Sequence, residues 1–282
     1  MAPPLSSLYG LSFFLALLVT LLVAASLRLV AILPNARPKT GQLHTRPTSA
    51  RVLVVLGSGG HTHEMFALLR DLDTRKYVHR TYVVSSGDAF SAQRAVAFEK
   101  GLEERAAQGP TEEGARRAQE KTRVPQMVLD GKAEITGGGG RQHCVGPEHY
   151  TIATIPRARR VHQPLYTTPF TALQTLFTAF PPLLSVPTAS HNTCASLPSL
   201  VITNGPATAV ILVLAALMLR FFNIRGAESR GLCRTVYVES FARVKTLSLS
   251  GKLLVRVVDR FLVQWEELEG YGGRAEYWGI LV

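Results

Sequence analysis

Acidic residues are scarce in this chain, and cysteines scarcer. Asp and Glu number 20 against 31 Lys and Arg, which gives a formal net charge of +11 and a pI near 10.0. Such a balance suits nucleic acid, an anionic bilayer surface or a phosphorylated ligand. Zinc-ligand spacing, RNA-binding signatures and aromatic–basic interleaving are all missing, so nucleic acid is not expected as a partner. The three cysteines (Cys144, Cys194 and Cys233) are scattered and odd in number. That argues against a disulfide framework and for a reducing compartment. No Asn-x-Ser/Thr glycosylation acceptor occurs, consistent with a cytosolic face. A second carboxylate pair and a metal-ligating cluster are also missing, so neither glycoside hydrolysis nor metal-assisted transfer is indicated. We expect no metal and no cofactor. Charged residues make up only 18% of the chain and hydrophobic ones 46%, a bias toward membrane association.

The longest uncharged run lies near the N-terminus. Leu11 to Leu27 carries no charge, and beyond Arg28 the apolar character continues through Leu33. That is close to the roughly 20 residues needed to cross a bilayer. No Lys or Arg precedes it, whereas Arg28, Arg37, Lys39 and Arg46 follow, which puts the C-terminal bulk in the cytosol. A cleaved signal peptide is the rival, since Ala24-Ala25-Ser26 resembles a cleavage site. The missing basic n-region and the length of the run favour an uncleaved anchor. We therefore expect an anchor over 1–33, a Pro/Arg/Thr-rich linker over 34–50 and one domain over 51–282.

That domain opens on Arg51-VLVVLGSGGHTHEM-Phe66. Val52 to Leu56 reads as a strand buried on both faces. Gly57, Gly59 and Gly60 then supply a tight turn into a helix, with Met65, Phe66, Leu68, Leu69 and Leu72 at one-face spacing. N–H groups at that helix start suit an anion such as a phosphate. A turn that merely closes strand onto helix is the plainer alternative. Thr62 stands where a dinucleotide fingerprint needs its third glycine, and Gly60-His61-Thr62 where a P-loop needs Gly-Lys-Ser/Thr. Neither an NAD enzyme nor an NTPase follows.

Further strands are expected at His79–Ser85, Tyr150–Ile155, Leu200–Thr203, Arg234–Glu239 and Phe261–Gln264. Helices are expected over Phe90–Arg105, Phe170–Phe180 and Ala207–Leu219. The last is fully apolar yet too short for a second span, and we read it as a core helix. Leu253, Leu254, Val257, Val258 and Phe261 suggest another helical stripe. Residues 101–146, with Gly137 to Gly140, read as a disordered insertion, and Pro181–Ser199 as loop. Arg157, Arg159 and Arg160 form either a solvated loop or a patch facing phosphates or lipid head groups. Strands alternating with helices predict an α/β fold: a Rossmann-like, doubly wound parallel sheet with one N-terminal transmembrane helix. Ligands of such sheets sit beyond the carboxyl ends of the strands. GSGGHT, TNGP and ESFAR all fall at such ends, which favours one composite site over three unrelated turns.

At these residues the chain resembles a known family. LGSGGHTHEM (56–65), IPRAR (155–159), ITNGPAT (202–208), VYVESFARVKTLSLSGKLL (236–254) and the tail AEYWGILV (275–282) are similar to the membrane-anchoring subunit of the two-part N-acetylglucosaminyltransferase of the endoplasmic reticulum. More distantly, the glycine loop resembles the acceptor-binding half of the bacterial lipid-linked-muropeptide GlcNAc transferase. The resemblance implies the N-terminal half of a GT-B fold at the endoplasmic reticulum membrane, domain on the cytosolic face. It implies a separate soluble catalytic GlcNAc-transferase subunit as partner, UDP-GlcNAc as donor and dolichol-diphosphate-GlcNAc as acceptor. The reaction would add the second GlcNAc with inversion, and this chain alone would be inactive.

The same resemblance places a catalytic base at His61, for which imidazole chemistry is suited; a histidine bonding only its own turn is the alternative. Gly57, Ser58, Gly59, Gly60 and Thr62 would bind the acceptor, with Asn204 and Gly205 lining the same crevice. Glu239 would take a sugar hydroxyl or cap the helix expected at Ser240. Arg243 would pair with the diphosphate or form a surface ion pair. The tail residues Tyr277, Trp278, Ile280, Leu281 and Val282 would meet the catalytic partner or pack on their own core. The competing function is a tethered scaffold that recruits the transferase and touches no substrate. A self-sufficient transferase is a third reading, and the length of the chain argues against it.

Overall fold

A computed structural model describes residues 5–34, 49–108, 143–159, 165–186, 196–205 and 207–281. The helices are α1 (Leu5–Ile32), α2 (Gly60–Leu68), α3 (Ala89–Ala107), α4 (Thr168–Leu184), α5 (Ala207–Phe221) and α6 (Leu249–Leu254). The strands are β1 (Ala50–Leu56), β2 (Tyr77–Ser85), β3 (Tyr150–Ile155), β4 (Leu200–Asn204), β5 (Arg234–Val238), β6 (Arg260–Val263) and β7 (Ala275–Tyr277). All seven strands run parallel in the order β3-β2-β1-β4-β5-β6-β7. This is the expected α/β, Rossmann-like architecture.

Burial on both faces explains why β1 reads as an unbroken apolar run. Leu53 and Val55 point toward Ala179 and Leu183 of α4 and toward Leu212, Ala215 and Ala216 of α5. Val52, Val54 and Leu56 point the other way, toward Met65 of α2, Leu69 and Ala95 of α3. A third cluster joins Ala209 and Val213 of α5 to Tyr237, Phe261, Val263 and Leu254. The apolar run of α5 is thus core, as its length predicts.

Helix α1 is long and apolar enough to cross a membrane over Tyr9–Ile32. Its last turn docks on the carboxyl end of α5. Arg28 donates from Nε to the Phe221 carbonyl at 3.0 Å and from Nη2 to that of Arg220 at 3.2 Å. These are last-turn carbonyls, which lack helical partners and favour a cation. In return Arg220 donates to the Ile32 carbonyl at 2.9 Å while pairing with Glu228 and Asp259.

Three expectations need correction. Helix α3 continues through Ala107, because Leu102 is buried and Arg105 bonds the Arg70 carbonyl, so the insertion cannot begin at 101. Its remaining part, 109–142, lies outside the described residues. Pro181 and Pro182 belong to the last turn of α4 rather than to a loop. The buried Arg51 guanidinium donates to the Pro182 and Ser185 carbonyls at this helix end, where carbonyls lack helical donors. The stripe Leu253–Phe261 is not one helix: α6 stops at Leu254, and Phe261 sits in β6. The tail starts in the sheet, with β7 pairing Tyr277 to Val263. The residues expected as linker (35–48), the loop residues 187–195, and Arg160, Cys194 and Val282 lie outside the described residues.

Candidate functional site

Chain connections leave β1 and β4, neighbours at the sheet centre, toward opposite faces. At such a switch point the loops part and open a crevice at the strand carboxyl ends. A cavity of about 410 Å³ fills it. Gly57 and Ser58 come from the loop after β1, Ser85 from β2, and Asn204 from β4. Arg157 and Arg159 come from the segment after β3, and Ala207 and Thr208 from the first turn of α5. Thr171 and Thr175 of α4 hold that arginine segment by donating to the carbonyls of Ala158 and Pro156.

Helix α5 begins on the cavity wall, α6 adds Leu249 and Ser250, and α2 begins two residues past the lining residue Ser58. First-turn N–H groups have no helical acceptor and carry the positive end of the helix dipole. The described lining adds two arginines and no carboxylate. The chemistry this favours is that of an anion with several acceptor oxygens.

His61 stands at the start of α2, wedged between the two loops. A Cβ on Gly57 would lie 2.7 Å from its Cβ, and one on Gly205 would lie 2.9 Å from its Cδ2. Both glycines are therefore required by the close approach of this side chain, and Gly205 also has φ of +76°. Asn204 donates from Nδ2 to the His61 carbonyl at 2.7 Å, while its own buried Oδ1 has no partner. An unsatisfied buried acceptor on a cavity wall is a place for a ligand hydroxyl.

The His61 Nδ1 lies 3.6 Å from Glu64 Oε2. That is beyond hydrogen-bond reach, so the contact is electrostatic. Glu64 is fixed on its other side by the Ser240 hydroxyl, which donates to Oε1 at 2.9 Å. Burial works against the Glu64 carboxylate, yet His61, the Ser240 hydroxyl and the Phe241 backbone together hold its pKa below the usual value. Neither Glu64 nor Ser240 stood out in the sequence. The signal was there for Glu64, since three residues past His61 on a helix is the same face.

Other expected site residues have their polar atoms turned to the scaffold. Thr62 is fully buried; its hydroxyl donates to the Gly57 carbonyl and meets Ser91 Oγ at 2.7 Å. It closes the glycine loop onto α3. Glu239 is buried, with Oε2 accepting from the Ser248 amide at 3.1 Å and hydroxyl at 3.0 Å. Ser248 in turn caps α6 by accepting from the Gly251 amide. Glu239 thus organises the loop that carries Ser240, and a helix at Ser240 itself is not formed. Gly59, with φ of +63°, and Gly60 have open space around them, and Ser58 is exposed. Arg243 is exposed on the same loop.

At the far edge, Leu281 donates its amide to Gln264 Oε1 at 3.3 Å, and the Arg260 guanidinium lies over the Trp278 ring. The tail backbone is therefore anchored while the Trp278 and Ile280 side chains remain exposed.

A family model described as "Oligosaccharide biosynthesis protein Alg14 like" matches residues 52–124 and 132–281. The chain belongs to this family. A relative from Aspergillus fumigatus, named UDP-N-acetylglucosamine transferase subunit alg14, is 38% identical over 257 residues, 77% of this chain and 100% of the relative. One from Cryptococcus neoformans, named UDP-N-acetylglucosamine transferase subunit ALG14, is 37% identical over 249 residues, covering 88% of this chain and 87% of its own length. The Homo sapiens protein of the same name is 33% identical over 234 residues, 83% of this chain and 84% of its own. The Alg14-like match runs from β1 through the tail, so every residue described at the cavity falls inside it.

Proposed function

We propose that the chain is the membrane subunit of a glycosyltransferase complex. In this reading α1 anchors it at the endoplasmic reticulum, the domain over 51–282 faces the cytosol, and a soluble catalytic subunit brings UDP-GlcNAc. The acceptor is dolichol-diphosphate-GlcNAc. The observation that carries the reading is the cavity at the switch point, where the first turn of α5 and two arginines meet the glycine loop that leads into α2. It suits a diphosphate, and the names of the relatives supply the transferase.

In the reaction the acceptor diphosphate rests against the first turns of α2 and α5, with Arg157 and Arg159 alongside. Gly57 to Gly60 let its oxygens approach the backbone, and the unpartnered Asn204 Oδ1 takes a sugar hydroxyl. His61 faces Glu64 with Nδ1, which leaves Nε2 to accept the proton of the acceptor 4-hydroxyl. That oxygen forms a bond to the anomeric carbon of the donor GlcNAc as the bond to UDP breaks, and UDP departs from the opposite face. The configuration inverts. Arg243 and the exposed Trp278 and Ile280 lie on surfaces available to the partner, with Tyr277, Leu281 and Val282 completing that tail.

The test is acceptor binding by the full-length chain in detergent, followed by calorimetry with a short-chain polyprenyl-diphosphate-GlcNAc. Binding by the unsubstituted chain and its loss in Arg157→Glu/Arg159→Glu is the expected result. Equal binding by both would move the acceptor elsewhere. His61→Ala separates an acceptor-binding subunit from a tethered scaffold, because a scaffold retains full complex activity as long as the partner stays bound.

A further inference from the structure

Helix α4 is apolar on both sides. Its inner face buries Thr175, Ala179, Pro182 and Leu183 against the core. On the outer face, Tyr166 of the preceding turn is 83% exposed, Phe170 75%, Leu173 50% and Phe177 65%. The spacings of four, three and four confine these side chains to an arc of roughly 60° at 100° per residue. A soluble helix would carry polar residues there.

The position of this stripe in the fold says what covers it. Helices α4 and α1 both pack on α5. Between them lie Phe222 and Ile224, exposed as well, and Arg225, which bonds the last-turn carbonyl of Leu184 in α4. Exposed apolar side chains thus stand both beyond the end of α5, where α1 docks, and on the outer face of α4. At its other end stand Arg157 and Arg159, tethered to α4 through Thr171 and Thr175. Aromatic side chains flanked by arginines suit the boundary of acyl chains and anionic head groups.

We infer that the outer face of α4 lies in the head-group layer of the bilayer that α1 enters, which sets the arginine side of the cavity at the depth of lipid phosphates. A lipid-linked diphosphate then reaches the site without leaving the membrane. The inference rests on α1 being an anchor, and the test distinguishes the two.

Phe170→Trp and Phe177→Trp, aromatic exchanges at exposed positions, are made in the full-length chain. Each is reconstituted in phosphatidylcholine–phosphatidylinositol vesicles whose acyl chains carry bromine. Leu18→Trp in α1 and Phe90→Trp at the start of α3 serve as internal controls, and the signal of Trp265 and Trp278 is subtracted with the unsubstituted chain. We expect blue-shifted emission and bromine quenching at 170, 177 and 18, and neither at 90. Red, unquenched emission at 170 and 177 with 18 quenched would overturn the inference and leave the anchor intact. Blue-shifted but unquenched emission there would mean that protein covers the face, which also overturns it. Loss of quenching at 18 would overturn the anchor and this inference with it.

Discussion

Asn204 donates its side-chain amide to the main-chain carbonyl of His61 over 2.7 Å, so the end of β4 holds the first turn of α2 in place. The two loops of the switch point are one unit, and His61 is their shared element. Removing the bond frees the histidine and leaves a buried carbonyl bare. Asn204→Ala is therefore expected to cost about 1–3 kcal/mol of stability. Thermal unfolding of the full-length chain checks this, and a Tm equal to that of the unsubstituted chain would contradict it.

The glycine behind His61 offers a sharper comparison. At Gly205 an added methyl meets the imidazole at 2.9 Å, whereas at Gly59 it meets nothing within 4 Å, although both have positive φ. Gly59→Ala carries only the backbone penalty of a sparsely populated conformation, about 1–3 kcal/mol. Gly205→Ala carries that and displaces the ring as well. Complex activity should be about 100-fold or more lower in the second than in the first, the range that misplacing a catalytic group costs. Equal kcat values in the two variants would remove His61 from the chemistry.

Glu64 is expected to act through His61. Glu64→Gln keeps an acceptor for the Ser240 hydroxyl but removes the charge 3.6 Å from Nδ1. The variant should fold normally while the kcat of the complex falls, because the carboxylate facing Nδ1 no longer stabilises the positive charge that develops on the ring as it takes the proton. An unchanged kcat would leave Glu64 a structural role only.

Far from the cavity, the buried His79 makes stability depend on pH. Burial first, then Arg51, Arg80 and His149, push its pKa down to about 4 from an ordinary 6.5. Between those values the unfolded chain binds the proton and the folded chain does not, so stability rises with pH there. It is fully present above pH 6.5 and is lost as pH falls toward about 4. The contribution is about 3 kcal/mol. Denaturant unfolding of His79→Gln should show a flatter profile across that window, and an unchanged slope would contradict the assignment.

The sheet and its central loop were legible because β1 is buried on both faces, which writes an unbroken Val/Leu run, and because the glycine turn follows at once. The length of α5 identified it as core in the same way. Elsewhere local pattern and tertiary context diverged. Leu254, Val258 and Phe261 share one core cluster, so their spacing imitates a helix although a turn separates the first from the last. Pro181 and Pro182 signalled loop, but their turn is buried through Pro182 and Leu183 and its end is met by the distant Arg51. At three residues β7 is too short to show alternation. Residue type pointed to the loops that meet at the switch point but not to the direction of each side chain. Thr62 and Glu239 are polar residues in a glycine-rich setting, and both spend their polar atoms on the scaffold.

In the proposed reading this chain supplies the acceptor site of a split transferase. The most direct measurement is transfer from UDP-GlcNAc to a GlcNAc-diphosphate-polyprenol, run on the purified chain alone and with the soluble partner subunit. Product in the mixture only, and its loss when His61→Ala replaces the unsubstituted chain with partner binding intact, is the predicted result. Product from this chain alone would contradict the account, since it would then carry its own donor site.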